Sequence, residues 1–331
     1  MIEITRRGAI GGAVAASVAG GTIIPTQARA AGPAASKQAA GFYRYNVGDI
    51  QVTVVTDGAR TFPLPDGFIA NANKEEINAA LQAAYLPPDN VTIYFSPIVV
   101  NTGGKLAIID TGYGPGAATQ PNSTSGLCQA NLVAAGIDPK AIDTVIISHY
   151  HGDHVDGLLD AEGKPSFPNA EIKVPAVEHK FWMDDGEMSR APKGRMEGLF
   201  KNNRRVFSGE ILKRVATYDW DKEVVPGVTA IGTPGHTPGH TSYVIASGSG
   251  KVFVQSDVTN NPALFVRNPG WHASFDQDGK MAEETRRKVY DMAVADKLLM
   301  QGFHYPFPSL GHVEKDGSGY RLVPTFWTPK L

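Results

Sequence analysis

The segment Ser148–Leu158, SHYHGDHVDGL, gathers three of the chain's nine histidines and two aspartates directly behind the apolar run AIDTVIIS. His149, His151, Asp153 and His154 form an H-x-H-x-D-H pattern. Alternate side chains of an extended strand share a face, so His149 and His151 point the same way. A turn eased by Gly152 then presents Asp153 and His154 to a neighbouring position. That spacing suits two adjacent metal ions better than one, since a single zinc takes three or four ligands. Imidazoles packed so closely repel when charged, and a cation is what settles them neutral.

Three more donors follow strands. His236 lies in the Gly- and Pro-rich turn of VTAIGTPGHTPGHT, Asp257 ends KVFVQSD, and His304 ends KLLMQGFH. Donors at the carboxyl ends of separate strands converge on one edge of a sheet, where α/β proteins build their sites. His236 is preferred to His240 as a donor, because His240 begins the next strand. His179, His272 and His312 stand in no such pattern and read as structural or pocket-lining.

The elements that must position these donors alternate along the chain. YRYNVGDIQVTVVTDG reads as β-structure turning at Gly48-Asp49, and NKEEINAALQAAY as a helix capped by Asn73 with Glu76 three residues on. A hairpin through Thr102-Gly103-Gly104 leads into LAIID, whose unbroken apolar character marks a central strand. A helix over Leu127–Ala135 precedes TVIIS. Residues 176–206 are helical, three strands follow, and MAEETRRKVYDMAVAD is a helix with Glu283/Arg287 and Glu284/Lys288 on its wet side. Strands and helices alternate from 42 to 331 without a linker, which indicates one α/β domain.

Composition narrows the function. The first thirty residues carry Arg6-Arg7, a Gly/Ala-rich apolar run and Ala28-Arg29-Ala30, the layout of a twin-arginine export signal; residues 31–41 read as a flexible leader. The expected location is the periplasm. The run is too short and Gly-rich for stable membrane anchoring. Without residues 1–30 the chain has 28 Lys/Arg against 32 Asp/Glu, a net charge of −4. With no basic stripe, nucleic acid is not an expected partner. The lone Cys128 rules out an internal disulfide or thiolate cluster. A homodimer is compatible with the sequence.

These pieces resemble the metallo-β-lactamase superfamily over nearly all of 42–331, through LAIIDTG, SHYHGDHVDG, GTPGHTPGHT, VQSD and QGFH. The resemblance implies a four-layer αβ/βα sandwich. It also implies that His149, His151 and His236 hold one metal and Asp153, His154 and His304 a second, with Asp257 bridging and Asp110 orienting a ligand histidine. Ser256 departs from the glycine many members carry before the bridging aspartate. The cofactor expected is a pair of divalent ions, Zn2+ first, with Mn2+, Co2+ or Fe2+ also accepted by His and Asp.

Such a pair, about 3.5–4 Å apart, holds a hydroxide and lowers the pKa of water towards about 7. Hydrolysis is therefore expected, with Asp257 and Asp153 catalytic and Asp153 passing a proton to the leaving group. Within the superfamily the chain resembles the methyl parathion hydrolase group, through GFYRYNVGDIQVTVVTDG, EHKFWMDD and SGYRLVP. That similarity implies a small hydrophobic ester as substrate, whether lactone, aryl ester or organophosphate triester. It also implies an aromatic pocket involving Trp182, Phe200 and Trp271. Two other readings stay open. A mononuclear iron oxidoreductase would show one iron per chain and consume oxygen. A non-catalytic zinc-stabilised periplasmic protein would fold but turn over no ester.

Overall fold

The computed structural model describes residues 38–331, so the segment expected to be an export signal and most of the expected leader lie outside the described residues. Gly41, the leader's last residue, is already tied down: its N–H donates to Asn131 Oδ1 at 3.0 Å.

Among the described residues the strands are β1 (Phe42–Val47), β2 (Ile50–Val55), β3 (Gly58–Pro63), β4 (Asn90–Phe95), β5 (Ile98–Thr102), β6 (Lys105–Ile109), β7 (Thr144–Ile146), β8 (Glu171–Pro175), β9 (Val215–Tyr218), β10 (Glu223–Val225), β11 (Val228–Gly232), β12 (Thr241–Ser247), β13 (Gly250–Ser256), β14 (Leu299–Gly302), β15 (Leu310–Asp316) and β16 (Gly319–Pro324). They form two seven-stranded sheets, ordered β1-β2-β5-β6-β7-β8-β9 and β10-β11-β12-β13-β14-β15-β16. A separate ribbon pairs β3 with β4.

The side chains explain the layers. In β6, Ala107 and Ile109 face the gap between the sheets beside Tyr243, Ile245 and Val254. Ile108 faces the other way, with Val145, Cys128 and Leu132. A strand buried on both faces has no polar alternation to show, hence the continuous apolar run. On the far side Phe253, Met300 and Val313 pack on Val289, Tyr290 and Ala293 of the helix Gly279–Ala295. Helices, sheet, sheet and helix make the four-layer sandwich. Fully burying one such aliphatic side chain contributes about 1.5–3 kcal/mol, so the register of each strand is strongly specified.

Two connections matter for the site. β6, β7, β8 and β9 run parallel, and so do β13 and β14. Parallel neighbours end at the same edge, which brings the residues after β6, β7, β13 and β14 towards one place. Those residues begin with Asp110, Ile147, Asp257 and Phe303.

Candidate metal centre

Two of the strand ends carry left-handed backbone at a non-glycine residue: Asp110 at φ 60° and Ser256 at φ 49°. That conformation costs of order 1–3 kcal/mol and must be held by its surroundings. Asp110 is held by Ser148, whose N–H and hydroxyl donate to its two oxygens at 2.8 and 2.7 Å. Ser256 donates its hydroxyl to Thr241 O at 2.9 Å. The positive φ gives the physical reason glycine suits the position before Asp257.

The H-x-H-x-D-H segment leaves β7 extended through His151, then closes into a helical turn, Gly152–Val155. His149 Nε2 lies 3.1 Å from His151 Nδ1, which lies 2.9 Å from His236 Nε2. Asp153, His154 and His304 form a second group, with His154 Nε2 and His304 Nε2 at 3.7 and 3.5 Å from Asp153 Oδ2. Asp257 stands between them. Its Oδ1 is 3.2 Å from His154 Nε2; its Oδ2 is 2.9 Å from His304 Nε2, 3.4 Å from His236 Nε2 and 3.9 Å from His149 Nε2. All seven donors named from the sequence are brought together. Each group is compact enough for its donor atoms to share one ion.

The outer nitrogens decide what the inner ones offer. His154 Nδ1 meets Asp110 Oδ2 at 2.8 Å, His236 Nδ1 meets Asp276 Oδ1 at 2.7 Å, and His304 Nδ1 meets the Tyr94 carbonyl at 2.6 Å. Carboxylate and carbonyl oxygens accept, so each of these outer nitrogens carries the proton. In the neutral rings the Nε2 atoms then present lone pairs inwards. Lone pairs converging at about 3 Å repel unless a cation sits among them. His154 Nε2 and Asp257 Oδ1 are moreover buried without a hydrogen bond. The residues present fit a pair of divalent cations.

The electrostatics agree. Burial, followed by the neighbouring imidazoles, holds His149 well below the ordinary imidazole range; burial and His236 do the same for His151. His154 and His304 are raised, although burial opposes it, because Asp257 and the other carboxylates outweigh burial. The second group thus attracts positive charge. His240 lies outside both groups. Its Nδ1 sits 2.9 Å from Thr233 O and its Nε2 accepts from the Asp257 backbone N–H at 2.9 Å, while burial pushes its pKa down to about 3. Its role is to fix the Asp257 loop. His179, His272 and His312 bond to Tyr150, Glu283 and the Leu298 carbonyl.

A buried carboxylate that sequence reading passed over joins the two ligand loops. Glu178 Oε1 accepts from Tyr150 N–H at 2.9 Å and Trp182 Nε1–H at 2.7 Å; Oε2 accepts from the Thr237 hydroxyl and Gly239 N–H, both at 2.8 Å. Tyr150 lies between His149 and His151, and Thr237 follows His236. Glu178→Ala strands four donors, at about 1–3 kcal/mol for each one left buried and unpaired. It is expected to lower Tm and to weaken metal binding about 10–100-fold. Thermal melts and competition against a chromophoric chelator measure both, and unchanged metal affinity would confine Glu178 to folding.

The centre opens into a cavity of about 380 Å³. Phe62, Ile93, Phe95, Tyr113, Leu199 and Phe275 supply most of its apolar wall; Arg60, Arg195, Asn202 and Asn260 also reach it. This corrects the expected pocket. Trp182 is fully buried, its N–H spent on Glu178 and its ring packed on Phe200. Phe200 is turned into the same core, leaving its neighbour Leu199 at the wall. Trp271 packs on the cluster around Leu264 and Phe265 beneath the helix Lys74–Ala83. Phe62, Ile93 and Phe95 come from β3 and β4, whose separate pairing no periodicity announced.

The fold, the paired donor groups and the shared aspartate coincide with a match of residues 96–290 to the model of the metallo-beta-lactamase superfamily, and the chain belongs to that superfamily. Among individual relatives, an N-acyl homoserine lactonase from Bacillus sp is 27% identical over 238 residues, covering 70% of this chain and 82% of the relative. The solved structure of AidC, a dizinc quorum-quenching lactonase in complex with a product, superposes with a TM-score of 0.80 at 25% identity, covering 87% of this chain and 98% of that one. The hydrolase AbOPH superposes with a TM-score of 0.80 at 28% identity, covering 88% and 100%.

Proposed function

We propose that the protein is a binuclear metal-dependent lactonase that opens the ring ester of N-acyl homoserine lactones. The observation carrying this is the pair of donor groups joined through Asp257 at the floor of a cavity with a largely apolar wall and a few polar side chains. The lactonase relatives support the choice of ester. His149, His151 and His236 would hold one ion and Asp153, His154 and His304 the other, with Asp257 shared; the dizinc relative favours Zn2+ for both. Such ions supply a water nucleophile at neutral pH and polarise the ester carbonyl.

The chain's own groups do the rest. Phe62, Ile93, Phe95 and Phe275 hold the acyl arm and exclude water from the floor. Burial raises the Tyr113 phenol, so it keeps its proton and can donate to the oxygen that gains charge in the transition state. Asp153, less buried than the six other donors, is placed to pass a proton to the leaving alkoxide. The twin-arginine segment supports a periplasmic location, which fractionation of expressing cells tests.

The deciding experiment offers the metal-loaded protein N-hexanoyl-homoserine lactone, an aryl ester and a phosphotriester in parallel. Ring opening with the highest kcat/KM is expected for the lactone. A preference for the phosphotriester, or no ring opening, would overturn the assignment.

A further inference from the structure

Asn260 stands three residues after Asp257, is only 8% exposed and lines the cavity. Its neighbours in sequence and in the wall have their partners. Asn261 Oδ1 accepts from Ala263 N–H at 2.9 Å; Asn202 donates to Asp156 at 2.8 Å and accepts from Arg205 at 2.8 Å. Asn260 Oδ1, by contrast, is buried and accepts no hydrogen bond from any described residue. Buried polar groups in folded proteins are nearly always paired, so a carboxamide that bonds to no described residue, on a residue lining the binding cavity, is free to turn and meet a polar group of the ligand.

We infer that Asn260 is a specificity-determining residue that reads the amide of an N-acylated substrate, an inference that rests on the lactonase reading and sharpens it. The ester classes the centre could cleave differ in this respect. An aryl ester, a phosphotriester or a plain alkyl lactone carries no N–H. An N-acyl homoserine lactone carries one on the ring carbon next to the scissile carbonyl. A carboxamide can accept from the substrate amide N–H through its oxygen or, turned over, donate to the amide C=O through its nitrogen, one contact at a time because a trans amide carries the two on opposite edges. Rotating the Asn260 side chain by 180° merely exchanges the two ends, and the same amide still satisfies it. A site built to hydrogen-bond a substrate N–H discriminates against the analogue lacking it, because its own polar group is then left unpaired.

The test compares N-hexanoyl-homoserine lactone with an alkyl γ-lactone of equal chain length and no amide, using the metal-loaded native protein, Asn260→Ala and the volume-conserving Asn260→Leu. The ratio of kcat/KM for the amide lactone over the amide-free one is expected to fall about tenfold in both variants. Tm should stay at or above the native value, since the side chain makes no hydrogen bond to any described residue. A ratio unchanged in both variants overturns the inference. Calorimetric binding of the ring-opened product N-hexanoyl-homoserine against the amide-free hydroxy acid reads the same contact without turnover. Failure of the native protein to open either ring would overturn the lactonase reading. The amide contact would then still be decided by binding: equal affinity for the two acids removes it, and an amide preference lost in Asn260→Ala sustains it.

Discussion

Replacing Asp257 with alanine is expected to lower kcat/KM for lactone opening by at least about 10³-fold and to cut bound metal from two equivalents per chain to one or none. Of the carboxylates at the centre, only Asp257 reaches both donor groups, with Oδ1 at 3.2 Å from His154 and Oδ2 at 2.9 Å from His304 and 3.4 Å from His236. Its removal takes a full negative charge from a site that is buried on nearly every side, where charge is least screened. It also strands His154 and His304, whose raised pKa depends chiefly on that carboxylate. The loop itself should stay in place, because His240 Nε2 holds the backbone N–H of residue 257 and the Ser256 hydroxyl holds Thr241 O. The loss is therefore one of chemistry rather than of fold. Asp257→Asn makes the stricter version, keeping shape and removing charge. Steady-state kinetics beside metal analysis of the purified variants measure the effect. Wild-type turnover with two equivalents bound in Asp257→Ala would refute the shared-carboxylate centre.

The donors were legible because chemistry forced rare residues into fixed spacings at strand ends, and strand ends are where hydrophobic periodicity stops. LAIID and TVIIS announce buried strands by composition alone, and Asp110, His149 and His151 follow within a few positions. What stayed hidden depends on contacts between distant segments. Asp276, which fixes the tautomer of His236, lies forty residues further on in the irregular stretch SFDQDG, which looks like any polar turn and has no period to single it out. Glu178 looked like one more polar position of a helix; its four donors come from three separate segments. Trp182 was expected at the pocket only through the similarity to the methyl parathion hydrolase group, yet its N–H is bonded to the buried Glu178 carboxylate and Phe200 covers its ring. Asn260 is the reverse case: an asparagine in NN reads as a turn, and only its lack of a partner distinguishes it from Asn261.

Removing the metal is expected to lower Tm by about 10 °C or more and to make the remaining stability sensitive to pH. A ligand that binds only the folded state at 1,000 times its Kd contributes about 4 kcal/mol, and two sites contribute more. For a domain of this size each kcal/mol corresponds to roughly 2–4 °C. In the metal-free protein two pairs of histidines act in separate windows. His154 and His304 have folded values above the ordinary imidazole value. Their stabilisation is complete below that ordinary value, about 6.5, and is lost as pH rises through the folded values. His149 and His151 have folded values below it, so their contribution is lost as pH falls beneath about 6.5. Relative to the loaded protein, the chelated one should be most stable near neutrality on the acid side and should decline in both directions. Bound cations hold all four rings neutral and should flatten that profile across the alkaline arm. Differential scanning calorimetry of chelated and zinc-restored samples between pH 5.5 and 9 measures both parts. Superimposable melts with and without chelator would show that no structural cation couples the two donor groups, whatever the enzyme's activity.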